Sequence, residues 1–229
     1  MPLIIMTKFF SFNQSLGLWN EKNFLIFVFV AYHLSLLKDI TNQFPMSFRY
    51  EKYWETLPAL IIAPFNRFNL LLGIFFSHLM IIAIPFAIFF IICYIIFPIG
   101  LITVLFIIAL YLLVAIIFSG IGIILGVLTV SKENYVEVLR LLLNITFWFS
   151  CLNYPYEIFP KIIQSIIVRN PFYYIFYILR ISWVEDDVIF TITTHLYNFT
   201  VLIIGAITLP VIGVIIFNKI YRKFGIVGY

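Results

Sequence analysis

The residues able to do chemistry are few and far apart. His33, His78 and His195 are scattered, and the two cysteines, Cys93 and Cys151, stand in apolar surroundings. No CxxC or His/Cys spacing joins them, so neither a zinc site nor a disulfide framework is indicated. No glycine opens a G-x-x-x-x-G-K-[ST] loop, which excludes ATP hydrolysis by that route. There is no nucleophile elbow and no carboxylate cluster within an apolar run. An intramembrane enzyme would be expected to carry ionisable groups inside the bilayer. His33 and His78, each alone among apolar neighbours, read as packed histidines rather than ligands. The expectation is a chain that is not an enzyme and holds no catalytic residue, no metal and no cofactor of its own.

The elements that position these residues are apolar helices. From Phe68 to Val130 there is no Asp, Glu, Lys or Arg. A bilayer core of about 30 Å is crossed by roughly 20 helical residues, so this run is long enough to cross twice. Phe97-Pro98-Ile99-Gly100 supplies a turn near its middle, which predicts helices over Leu70–Ile96 and Leu101–Thr129, the first kinked at Pro85. The composition agrees: 229 residues, 64% hydrophobic and 10% charged, with a mean hydropathy of +1.12. That is a polytopic all-α membrane protein, with a single transmembrane domain over residues 1–229. The net charge of +4 gives no reason to expect nucleic acid. Three further spans are expected: a short one at Asn23–Leu37, one at about Val138–Leu152, and a last one at Val188–Asn218 with a kink at Pro210. Met1–Phe12 is too short to cross, carries Lys8, and has the wrong order for a signal peptide.

Three polar or irregular stretches interrupt this pattern. Pro45 and Ser47 suggest a helix break and an N-cap. After them Tyr50, Trp54 and Leu57 recur at i, i+4 and i+7, with Glu51, Lys52 and Glu55 on other faces. This predicts an amphipathic surface helix that ends before Pro58. Further on, Tyr154, Pro155 and Pro160 precede a short apolar run, Lys161 to Val168, that then meets Asn170-Pro171. Such proline density predicts a re-entrant hairpin of two short helices hinged at Asn170-Pro171 and ending near Arg180. Irregular backbone at membrane depth must be covered by protein or water. Finally, Ser119, Gly122 and Gly126 form one small-residue stripe, a packing face whose partner lies either within the chain or in a second copy.

Two of these stretches carry a family resemblance. Thr56-Leu57, Leu60, Pro64 and Gly73 match a signature of the ABC-2 family of ABC-transporter permeases, in which a cytoplasmic helix precedes the next span. Pro58 replaces the family's usual Glu, and Glu55 stands where Gly is common. Tyr154, Pro155, Pro160, Gln164, Asn170, Pro171 and Arg180 resemble the pattern before the family's last span, and Lys219, Arg222 and Lys223 its basic tail. The resemblance covers about Asn23 to Tyr229. It implies a permease subunit of an exporter, with Tyr50, Glu51, Tyr53, Trp54, Glu55, Thr56 and Leu57 as the coupling helix. The segment with Tyr154, Pro155, Pro160, Asn170, Pro171 and Arg180 would form the extracellular gate region. The implied partners are a separate ABC ATPase carrying ATP and Mg, a second copy of the chain, and membrane lipid. Polysaccharides, lipids and drugs are all substrates in such a family. The alternative is a non-transporting scaffold or an inactive truncated permease.

Charge sets the expected orientation. With the C-terminus in the cytoplasm, Lys38, Arg49, Lys52, Arg67, Lys132, Arg140, Lys219, Arg222 and Lys223 lie inside. Lys8, Lys22, Lys161, Arg169 and Arg180 lie outside, nine against five, as the positive-inside rule requires. The expectation is a multi-pass protein of the cell membrane. Five spans put the N-terminus outside, whereas the family has six with both ends inside, so the first family span is expected to be missing.

Overall fold

The computed structural model describes residues 21–55, 67–131 and 133–226. Met1–Phe12, Thr56, Leu57, Pro58, Leu60 and Pro64 lie outside the described residues. Helix α1 is Glu21–Lys38 and α2 is Ile40–Tyr53; α3 is Arg67–Ile96 and α4 is Leu101–Ser131; α5 is Glu133–Trp148. A 3-10 turn at Tyr156–Ile158 follows, then α6 (Lys161–Ile167), α7 (Pro171–Glu185), α8 (Val188–Thr194) and α9 (Leu196–Ile226). Among the described residues there is no strand. The protein is an all-α polytopic membrane protein.

The hairpin of α3 and α4 has its turn at residues 97–100 as the sequence predicts, and its outer ends run two to three residues beyond the expected Leu70 and Thr129. Its turn is tied down from elsewhere: the Gly100 N–H donates to Asp186 Oδ1 at 2.8 Å. Pro85 lies inside α3 without ending it. One side of α3 is bare, with Met80, Ile84 and Ile95 at 77%, 69% and 73% exposure, which suits a helix facing lipid.

Three expectations need correction. Pro45 and Ser47 do not break the chain. Asp39 keeps helical dihedrals, and α1 with α2 forms one candidate span, Asn23–Tyr53, of 31 residues. The first span is therefore long, and Tyr50 to Tyr53 form its last turn rather than a helix of their own. Pro45 removes one backbone hydrogen bond, but Phe44 and Phe48 on either side are buried against α4, and packing overrides the local preference. The second correction concerns the span at Val138–Leu152. Helix α5 ends at Trp148 after 16 residues, about 24 Å at 1.5 Å per residue, short of a roughly 30 Å core. The chain then turns through Cys151, whose φ is +57°. The third is the last span, which is broken at His195 and runs from Leu196 to Ile220. Among the described residues four helices are thus long and apolar enough to cross, or five if the bent pair α6–α7 counts as one span.

The described residues form two compact units, and every boundary between them falls within a helix. One unit comprises residues 21–34, 88–110 and 145–201. Its interior is aromatic: Phe147 lies 5.0 Å from Phe172 and 6.4 Å from Phe176, and Phe90 lies 5.3 Å from Trp183. His33 is fully buried here and its Nδ1–H donates to the Phe29 carbonyl at 2.8 Å, a helix-internal bond that makes it a packed histidine.

The other unit comprises residues 35–87, 111–144 and 202–226, and glycines of α4 organise it. A Cβ at Gly122 would fall 2.7 Å from Phe44 and 3.0 Å from the Ile40 carbonyl, and one at Gly126 2.5 Å from Phe48. The stripe of Ser119, Gly122 and Gly126 therefore has α2 of the same chain against its glycines. Ser119 is buried and returns its hydroxyl to the Ile116 carbonyl at 2.8 Å. On another face of α4, a Cβ at Gly120 would lie 2.5 Å from the Pro210 nitrogen in α9. Close backbone approach of this kind is how helices associate where lipid is as apolar as the side chains.

Candidate functional site

Two regions collect the residues singled out by sequence. The first is the end of α2. The helix stops at Tyr53; the Trp54 N–H donates to the Tyr50 carbonyl at 2.9 Å, and Glu55 takes a left-handed conformation with φ of +57°. Tyr50 and Trp54 stack at 5.7 Å with an interplanar angle of 23°. They are 49% and 65% exposed, and Tyr53 is 83% exposed. Glu51 and Lys52 occupy the same last turn of helix. The expected coupling helix is thus the tail of a span with a terminal turn, and its Thr56 and Leu57 lie outside the described residues.

This tail is fixed by an ion cluster that sequence reading missed. Arg49 Nη2 donates to Glu137 Oε1 at 2.8 Å, and Arg140 Nη1 meets the same carboxylate at 3.1 Å. The Arg49 hydrogen bond, with the positive charges of Arg140 and Arg49, holds the Glu137 carboxyl below its ordinary range. The contact joins α2 to α5 across 88 residues of chain. No periodicity within either helix could reveal it; the i, i+3 placement of Glu137 and Arg140 was the only local sign.

The second region is the irregular segment between α5 and α9. Asn170 caps α7: its Oδ1 accepts the Phe172 N–H at 3.0 Å, with Pro171 at the first helical position, where its missing N–H costs nothing. The same side chain donates through Nδ2 to the Thr146 carbonyl at 2.7 Å, so one buried amide fixes both the hinge and the end of α5. Helices α6 and α7 meet at 92° across this hinge, a bend that a re-entrant loop and a broken span share, and α7 extends beyond Arg180 to Glu185. Tyr174 adds a hydroxyl bond to the Val168 carbonyl at 2.7 Å.

Arg180 is 2% exposed. Its Nη2 donates to the carbonyls of Cys151 at 2.6 Å and Leu152 at 2.8 Å, and the Phe27 ring lies 3.7 Å from its guanidinium carbon. A buried cation is tolerable only when hydrogen-bonded or paired. Here carbonyls of the turn after α5 and an aromatic face supply those partners. Arg180 thereby staples α7 to that turn and to α1. Pro155 is buried, whereas Tyr154, Pro160 and Pro171 are exposed. Tyr154 meets Phe159 edge-on at 6.5 Å.

Beyond α7 a further cluster went unread in the sequence. Glu185 accepts from Thr191 Oγ1 at 2.7 Å and pairs with His195 Nε2 at 3.0 Å. Asp187 caps α8 by accepting the Phe190 N–H at 3.0 Å. Glu185 and Asp187 thus close the turn from α7 into α9, next to the break of the last span at His195. Among the described residues no group of three or more His, Cys, Asp or Glu could hold a metal ion.

The arrangement consists of an exposed aromatic stack braced by an ion cluster, and a sharply bent helix pair stapled by Arg180. The family model described as ABC-2 type transporter matches residues 1–183. No curated protein matches the chain.

Proposed function

The chain belongs to the ABC-2 type transporter family, and we propose that it is an exporter permease worked by a separate ATPase subunit that docks on the end of α2. It is a multi-pass membrane protein and a permease subunit of an ABC transporter; the direction, the docking site and the assembly are our reading. The observation that carries it is the stacked, exposed Tyr50–Trp54 pair at the tip of a span, braced by Arg49 and Glu137. Aromatic residues held rigid at low entropic cost are the usual anchors of protein interfaces. In this reading two copies of the chain form the pathway in the cell membrane. The α2 end and the C-terminus lie in the cytoplasm, as the lysine and arginine distribution favours. The segment from Tyr154 to Arg180 then borders the outer side as the gate region. ATP and Mg bind the ATPase and not this chain.

The test is the double variant Tyr50→Ala with Trp54→Ala. Truncating a hot spot of about 2 kcal/mol weakens association roughly thirtyfold. ATPase stimulation by the permease should fall accordingly, while membrane insertion is unchanged. Unaltered stimulation, or crosslinks from position 54 that reach only components on the outer face, would sink the proposal. Failure of any ATPase to co-purify with the intact chain would favour the scaffold alternative.

A further inference from the structure

A cleft of about 500 Å³ lies between α2 and α3, within a single compact unit. Its polar lining is Gln43 and Ser47 from α2 with Asn69, Ser77 and His78 from α3; Leu70, Ile74 and Ile81 add apolar wall around Gly73. Both helices belong to candidate membrane spans. Among the described residues, none of these five polar side chains makes a hydrogen bond to protein. That is unusual for this chain. Ser119, Ser182, Thr129 and Thr208 each return the hydroxyl to a carbonyl of their own helix, the ordinary way a hydroxyl is satisfied in a span. Ser47 and Ser77 do not.

His78 is 6% exposed, and both ring nitrogens are buried without a partner. An imidazole always offers at least one donor, and when neutral one acceptor as well. Leaving such a group unmatched in a membrane is costly, and four more polar side chains, Gln43 and Ser47 half-buried and Asn69 and Ser77 exposed, converge on the same cavity. Its volume falls in the range of ligand pockets, about 300–1,000 Å³.

We propose that this cleft binds an uncharged polyhydroxyl group, a sugar or glycerol unit. Among the described residues no charged side chain lines it. A phosphate or carboxylate entering it would meet no lysine or arginine in the lining, and the Asp39 carboxylate, near enough to act on His78 through its charge, would repel it. Amides, hydroxyls and a neutral imidazole both donate and accept, and so do the hydroxyls of a polyol. The aliphatic wall suits the C–H face of such a group. Gly73 keeps the cleft open: a Cβ built on it meets nothing within 4 Å. The proposal concerns binding and does not rest on coupling to an ATPase.

The source of the polyhydroxyl group is either a lipid headgroup or a free saccharide, and the experiment separates them. The purified full chain is titrated with a diglucosyl diacylglycerol, with a free disaccharide, and with phosphatidic acid as the charged counterpart. Bound copies are counted by native mass spectrometry. One uncharged probe should bind at one copy per chain, at least about tenfold tighter than phosphatidic acid. Binding of the glycolipid alone names a headgroup site; binding of the disaccharide names a saccharide site. Gly73→Leu, which fills the open space, should weaken that binding about tenfold or more. Asn69→Leu, at an exposed position, should weaken it about three- to tenfold, the worth of one hydrogen bond. Thermal unfolding of each variant reports whether it is folded. Uncharged probes that bind no better than phosphatidic acid would overturn the proposal, as would binding that folded Gly73→Leu and Asn69→Leu both leave unchanged.

Discussion

Replacing Arg180 by Met keeps the length and apolar bulk of the side chain and removes the staple. Two carbonyls, at Cys151 and Leu152, lose charge-assisted bonds of 2.6 and 2.8 Å, each worth about 1.5–3 kcal/mol. The contact with the Phe27 ring, at 3.7 Å, is worth up to about 2 kcal/mol when desolvated. Against this, the variant no longer buries a cation, which returns several kcal/mol. A net loss of about 3 kcal/mol is expected, confined to the turn after α5 because that turn is what the guanidinium holds. Cys151 reports it directly, since it lies in the turn and is 1% exposed. If labelling requires local opening, a loss of about 3 kcal/mol speeds maleimide modification of Cys151 roughly a hundredfold. Cys93, also buried but on α3, is the internal control and should keep its rate. Mass spectrometry of the two peptides separates them in one sample. Equal acceleration of both thiols would mean global loosening, and an unchanged Cys151 rate would refute the staple.

The glycines of the helix core should rank by what surrounds them. Gly120→Ala, which drives a Cβ into the Pro210 and Leu209 backbone at 2.5–2.6 Å, should lower stability by about 1–3 kcal/mol or more, and more than Gly122→Ala, whose nearest obstacle is the Phe44 ring. Gly73→Ala should leave the unfolding midpoint unchanged or raise it, by up to about 1 kcal/mol in stability; thermal unfolding in detergent checks the order. The Glu137 cluster should make stability pH-dependent. A carboxyl held below its ordinary value of 4.5 contributes fully above that pH, and the contribution fades as pH falls through the lower folded value. Because Glu137 is half-exposed the increment is only about 0.2–1 kcal/mol, reduced by salt; Glu137→Gln should narrow the difference between melts at neutral and acidic pH by that increment. Cysteines placed at Glu157 and Glu185 should both label from the same side of the membrane, and labelling from opposite sides would show that α6 and α7 together make a true crossing.

The sequence by itself determined the class of the protein and much of its punctuation. A charge-free run from Phe68 to Val130 with Pro-Gly at its centre has one economical solution in lipid, a helical hairpin, and both helices start and stop within a few residues of that expectation. Asn170-Pro171 likewise announces a capped hinge, because the cap and the proline act on the backbone beside them. Tertiary structure decided whatever depended on distant partners. Pro45 reads locally as a break, yet Phe44 and Phe48 seat on the bare backbone at Gly122 and Gly126 and carry the helix through it. Val188 to Asn218 reads as one span, yet it breaks at His195, next to the turn where Glu185 holds both Thr191 and His195. The meeting of Arg49 with Glu137, and of Arg180 with the carbonyls of Cys151 and Leu152, joins residues 28 to 88 positions apart. Hydrophobic periodicity records which face of a helix avoids water; it carries no record of which charge, carbonyl or ring another part of the chain will bring to that face.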